Sequence, residues 1–123
     1  MAGRKQKDFH AHVYFDAESK SKAARLRGKI NKMFEVNIGP WRHGVYGPHP
    51  CSNFQVAFAP KDFGEFVPWL TLNRTGLDIL VHPSTGQLVE DHTDYAMWLG
   101  KPRRIRRHFL KKAQLRINER LNQ

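Results

Sequence analysis

Phe9-His10-Ala11-His12-Val13-Tyr14-Phe15 alternates with a period of two. Apolar residues fall at 9, 11, 13 and 15, and the other face carries His10, His12 and Tyr14. That is the pattern of a strand with one buried side. Two imidazoles two residues apart on one face come within reach of a single metal ion. The face is either one edge of a site or a solvated polar surface, and the rest of the chain has to decide between them.

Working outward, Asp16 is placed to cap a helix, with Glu18 in its first turn. Within 17–34, Ala23, Leu26, Ile30, Met33 and Phe34 repeat at helical spacing against a lysine- and arginine-rich face. Val36 and Ile38 predict a short second strand. The segment Gly39 to Pro50 is a loop by its Gly and Pro content, yet it also holds Trp41, His43, Tyr46 and His49. Long loops of this kind tend to carry function. Ser52 to Ala59 alternates again, with Phe54, Val56 and Phe58 on one side and Asn53 and Gln55 on the other. Lys61-Asp62 opens a second helix, with Phe63, Phe66, Val67 and Leu70 on its apolar stripe. Pro68 predicts a kink or break in it, and Gly76 a stop. Leu77 to His82 reads as the last strand.

The order β-α-β-β-α-β is that of a ferredoxin-like α+β fold, a four-stranded antiparallel sheet with both helices on one face. Its usual topology sets the first and last strands side by side and antiparallel. His10 and His12 then approach His82. The face away from the helices would carry His10, His12, Tyr14, Asn53, Gln55, Asp78 and His82, and so many polar groups require a use or a cover. Beyond the last strand, Pro83 to Gln87 is a turn, Leu88 to Leu99 is expected to be a short helix, and 103–121 a basic amphipathic helix with Ile105, Phe109, Ala113, Ile117 and Leu121 on its stripe.

The length of 123 residues suits one domain over 1–123. The net charge of +10 divides unevenly. Residues 1–100 hold 12 Lys and Arg against 10 acids, whereas 101–123 hold 9 against Glu119 alone. The basicity therefore belongs to the terminal helix. That helix is either a solvated face or a contact for nucleic-acid phosphates. The first strand lacks the stacking aromatics of an RNA-binding sheet. Residues 1–8 read as a mobile arm without a signal peptide's apolar core. No apolar run approaches a membrane span, and Cys51, the sole cysteine, excludes an intrachain disulfide. A cytoplasmic location is the default. No phosphate loop, nucleophile elbow or CxxC pair is present.

Five of the seven histidines, His10, His12, His49, His82 and His92, lie where a site could use them. Neutral imidazole suits Fe, Zn, Cu or Ni, and a catalytic ion needs about three protein ligands and an open position. His49 is either a proton-transfer group on a lid or part of a rigid loop. For His43, and for Trp41 and Tyr46, completion of the core is the simpler reading. Asp91-His92 invites a carboxylate–histidine pairing, but adjacent helical residues do not face each other; helix capping by Asp91 or Thr93 competes.

Taken together, His10-Ala11-His12-Val13-Tyr14-Phe15, Gly47-Pro48-His49-Pro50 running into Ser52-Asn53-Phe54, Leu80-Val81-His82-Pro83, and Asp91-His92-Thr93 with Ala96, Trp98, Leu99 and Gly100 resemble the DOPA 4,5-dioxygenase family of small extradiol-type ring-cleaving enzymes. The resemblance covers about 9–102 and leaves the basic tail outside. It implies a ferredoxin-like fold as a homodimer, non-haem Fe(II), O₂, and a catechol such as DOPA opened beside its hydroxyls to a muconic semialdehyde. Another divalent metal such as Zn could occupy the site. On that basis His10, His12 and His82 are expected at the metal, His49 and His92 as acid–base groups, and Tyr14 as a hydrogen-bonding partner of substrate. Asp78, Glu90 or Asp91 is available as a carboxylate ligand; otherwise the site is all-histidine.

Overall fold

In a computed structural model of the chain, which describes residues 7–122, the protein is α+β. Strand β1 (Phe9–Tyr14) leads to helix α1 (Lys20–Met33), the two-residue strand β2 (Asn37–Ile38) and strand β3 (Asn53–Phe58). A 3₁₀ turn (Pro60–Asp62) opens helix α2 (Phe63–Asn73), followed by β4 (Ile79–Pro83), the short helix α3 (Leu88–His92), β5 (Met97–Leu99) and helix α4 (Arg107–Leu121). The strands form one antiparallel sheet in the order β2-β3-β1-β4-β5.

The first strand is central, paired with β3 on one side and β4 on the other. The expected pairing of first and last strands is present, and its register sets His10 opposite His82 and His12 opposite Leu80. Ala11, Val13, Phe54, Val56, Phe58, Ile79 and Val81 pack with Ala23, Leu26 and Ile30 of α1 and Phe66, Val67 and Leu70 of α2. Each buried Val, Leu, Ile or Phe among them contributes roughly 1.5–3 kcal/mol. This core holds the opposite, histidine-bearing face in place.

The sheet has five strands, not four. Ala96 to Leu99, expected to continue a helix, leaves it: α3 ends at His92, and Met97, Trp98 and Leu99 pair with Val81, Leu80 and Ile79. The outer edge of β4 offers backbone donors and acceptors that a helix could not satisfy. Trp98 also stacks near-parallel on Tyr14, centroids 5.9 Å apart. Gly100, at φ +92, then turns the chain out.

Two further expectations are corrected, and a third falls mostly on residues that are not described. Helix α2 runs through Pro68 without a break; Pro68 is exposed, so the carbonyl it leaves unpaired is open to water. The terminal helix starts at Arg107 rather than 103, because 103–106 is spent on contacts to Asp78, Cys51 and Gly47. The expected arm over 1–8 lies mostly outside the described residues. Its last two are tied to Ser84: the Lys7 N–H donates to the Ser84 carbonyl at 3.2 Å, and the Ser84 N–H to the Asp8 carbonyl at 2.9 Å.

Candidate metal centre

The polar face of the sheet is covered. Arg106 of the 103–106 segment donates through its backbone N–H to the Pro48 carbonyl and through Nη1 to the Gly47 carbonyl. From α4, Leu110 is buried, and Gln114 accepts the Leu88 N–H at 2.8 Å. The basic tail is thus the cover that the open sheet face called for. Beneath it lies a cavity of about 360 Å³ whose walls include His10, His12, His49, His82 and His92, with Phe109, Leu110 and Ala113 contributed by α4. A nucleic acid reaching for this sheet face would meet α4 instead.

The five imidazoles form one cluster. Ring centroids lie 5.1 Å apart for His10 and His82, 4.1 Å for His82 and His92, 4.0 Å for His12 and His49, and 5.1 Å for His12 and His82. His12, His49 and His82 are buried; His10 and His92 are half-buried. Two triads bring one ligand atom from each member within 4.8 Å of the others: His10-His12-His82 and His12-His49-His92. Both are all-histidine, and His12 belongs to both.

Hydrogen bonds fix several tautomers. A carbonyl oxygen only accepts, so His82 Nδ1, 2.8 Å from the Pro83 carbonyl, carries the proton, as does His92 Nδ1, 2.8 Å from the Leu88 carbonyl. Asn53 donates its amide N–H to the Cys51 carbonyl, which turns its Oδ1 towards His12 Nδ1 at 3.3 Å, so this nitrogen is protonated too. Such outer bonds orient metal-binding histidines generally. In all three rings Nε2 is left with its lone pair.

His12 Nε2 and His82 Nε2 are 3.0 Å apart. With both Nδ1 atoms protonated, neutral rings face each other lone pair to lone pair. Burial, followed by repulsion among the imidazoles, holds His12 well below its ordinary value and lowers His82 to about 2. Neither ring therefore carries a second proton at neutral pH to bridge the pair. A cation bound by both lone pairs would resolve the conflict, and neutral imidazole is an ordinary ligand for divalent metals. The donor set fits a divalent metal.

Tyr14, fully buried, places its hydroxyl 2.7 Å from His49 Nδ1. Burial raises the phenol's pKa, with the Cys51 sulfur adding to it, so the proton stays on oxygen. Burial, then repulsion from His92 and His10, brings His49 down to about 3. Tyr14 therefore donates to a neutral His49, whose Nε2–H is the group left for other partners.

The three candidate carboxylates stand apart from the triads. Asp78, expected on the open face, lies before β4 and binds Arg103 and the Lys101 N–H. Asp91 is buried and takes both the N–H and hydroxyl of Thr85. Glu90 joins neither triad. Asp91 and His92 make no pair, as adjacent helical residues should not. Of the loop aromatics, Trp41 packs on Phe15 and Phe54 as expected, while Tyr46 is exposed and lies under Arg42 rather than in the core. His43 packs edge-on to Phe15, away from the cluster. Sequence reasoning had placed Asn53 on the histidine face but missed its grip on His12; its register position opposite Tyr14 carried that signal. Arg42 and Thr85 were missed because no periodicity governs loops.

Residues 9–109 match the Dopa 4,5-dioxygenase family, and the chain belongs to it. The match runs past Pro102 into the first turn of α4, beyond the expected limit. A DOPA 4,5-dioxygenase from Amanita muscaria is 30% identical over 108 residues, covering 76% of this chain and 45% of that protein. An "uncharacterized 21.2 kDa protein" from Botryotinia fuckeliana is 38% identical over 105 residues, covering 76% of this chain and 57% of its own. This chain thus spans about half the length of the curated relatives it matches. A crystal structure of a candidate dioxygenase from Nostoc punctiforme is 51% identical, with a TM-score of 0.86 over 88% of this chain and 94% of that one.

Proposed function

We propose that the protein is a non-haem iron dioxygenase that opens the ring of a catechol beside its two hydroxyls, both atoms of O₂ entering the muconic semialdehyde product. The observation that carries this reading is the His12–His82 pair, two ring nitrogens 3.0 Å apart that both face the same cavity with free lone pairs. Membership of the family supports it.

His10, His12 and His82 would hold the ion. Fe(II), when bound, supplies the electron transfer between a catechol and O₂ that neither undergoes readily alone. The remaining residues handle protons and position. His92 Nε2 carries a lone pair and neighbours His82, which suits it to take a catechol proton. His49 offers its Nε2–H to a developing negative oxygen, with Tyr14 fixing its tautomer. Leu110, Phe109 and Leu88 line the cavity and limit water. The enzyme is proposed to act as a cytoplasmic homodimer; sedimentation reads that state directly.

Anaerobic loading with Fe(II), then air and a panel of catechols that includes DOPA and protocatechuate, tests the reading. A yellow ring-opened product is expected. Failure to bind any divalent metal overturns it.

A further inference from the structure

The cavity has one wall that the ring-opening chemistry does not use. Arg42 lines it beside His49 and Asn53. Among the described residues its guanidinium has neither an ion pair nor a hydrogen-bond partner. Its Cζ lies 4.2 Å from the centroid of the Tyr46 ring. A guanidinium held over a ring at that distance still has its in-plane N–H donors, and those donors are the edge that grips a carboxylate with two parallel bonds.

The backbone makes this position part of the centre. Arg42 N–H donates to the Asn53 carbonyl at 2.9 Å, and Asn53 N–H returns to the Arg42 carbonyl at 3.0 Å. Asn53 is the residue that orients His12. Tyr46, beneath the guanidinium, exchanges a second pair of backbone bonds with His49, at 3.1 and 2.9 Å. The cation is thus tied to both the metal-binding and proton-handling sides of the cavity. The charge balance points the same way. Asp91, the carboxylate among the lining residues, is consumed by Thr85. Arg42 is left as the unmatched charge. A volume of about 360 Å³ admits one aromatic ring with a short side chain.

Resting on the catechol reading above, we propose that Arg42 determines specificity by binding a carboxylate on the substrate's side chain. Arg42 takes no part in ring opening; it selects and orients the ring that does.

Matched probes test this: 3,4-dihydroxyphenylacetate and its methyl ester share the ring and differ in the charge. Anaerobic calorimetry on the Fe(II)-loaded protein gives Kd for each, and aerobic turnover gives kcat and KM. The acid should bind at least about tenfold tighter than the ester. In Arg42→Gln that ratio should collapse towards one, through KM rather than kcat, and Arg42→Lys should restore part of it. Unchanged melting temperature and iron content confirm that the variants fold. Equal affinity for acid and ester in the parent protein, or a ratio that survives Arg42→Gln, overturns the role of Arg42 and leaves the catechol reading standing. Selective binding without turnover of either probe overturns ring opening and keeps the Arg42 assignment. Binding of neither probe overturns both.

Discussion

His12 Nε2 and His82 Nε2 stand 3.0 Å apart on neighbouring strands, each with its other ring nitrogen committed to an acceptor. Two lone pairs held this close repel unless a cation lies between them. In His12→Ala or His82→Ala the metal should be lost together with turnover, which elemental analysis after anaerobic loading reads. Retention of full iron stoichiometry by both would remove these residues from the ligand set.

Asn53 acts one bond further out. Its Oδ1 accepts from His12 Nδ1 and leaves Nε2 as the nitrogen that would face the proposed ion. Asn53→Leu should weaken metal binding by about 10–100-fold, the usual cost of losing such a partner. Competition with a chromophoric chelator measures it.

Tyr14→Phe removes the hydroxyl from His49 and leaves a buried Nδ1 unpaired. The cost to stability should be about 1–3 kcal/mol. Metal content should hold, while kcat falls by roughly 10²-fold or more if His49 handles a proton or developing charge. Equal kcat in parent and variant would leave Tyr14 a packing residue.

The lowered imidazoles make the metal-free protein sensitive to acid. Above about pH 6.5 these rings are neutral in both folded and unfolded chains and contribute no pH dependence. Below it the unfolded chain gains protons that the folded one refuses until about pH 3 for His49 and about 2 for His82. Folding stability therefore falls as pH drops, by roughly 2 kcal/mol for each of these two rings at pH 5. Urea titrations at pH 7.5 and 5 should show the loss; a flat profile would contradict the neutral, buried cluster.

Leu110 is the buried anchor of α4. Leu110→Ala should cost about 2–5 kcal/mol and weaken catechol binding by loosening the cover. Calorimetric melting and ligand titration read both. A variant destabilised but unchanged in binding would separate the helix from the cavity.

Much of this was legible in the sequence because period-two alternation forces side chains to opposite faces. The motif at residues 9–15, together with element order, was enough to pair His10 with His82. Trp98 was misread because a short apolar run fits helix or strand equally, and only the open edge of β4 and the Tyr14 ring distinguish them. The tail helix was misjudged for a different reason. Its charge is visible in composition, whereas its docking rests on the buried Leu110, on Gln114 at the Leu88 N–H and on carbonyls of a loop with no periodic signal. Tautomers lie beyond sequence altogether, since they depend on which acceptor each ring meets.

The central place of β1 bears on how the ion arrives. The amides around His10 and His12 are bonded on both sides, to β3 and β4, and His82 lies on β4 opposite His10. Those positions open only when the sheet itself comes apart. His92 belongs to a five-residue helix and His49 to a loop, elements that loosen far more readily. The proposed ligands thus sit on the paired half of the cavity and the proposed proton-handling histidines on the looser half, so a metal ion would be loaded or surrendered through the looser half while the strands stay paired.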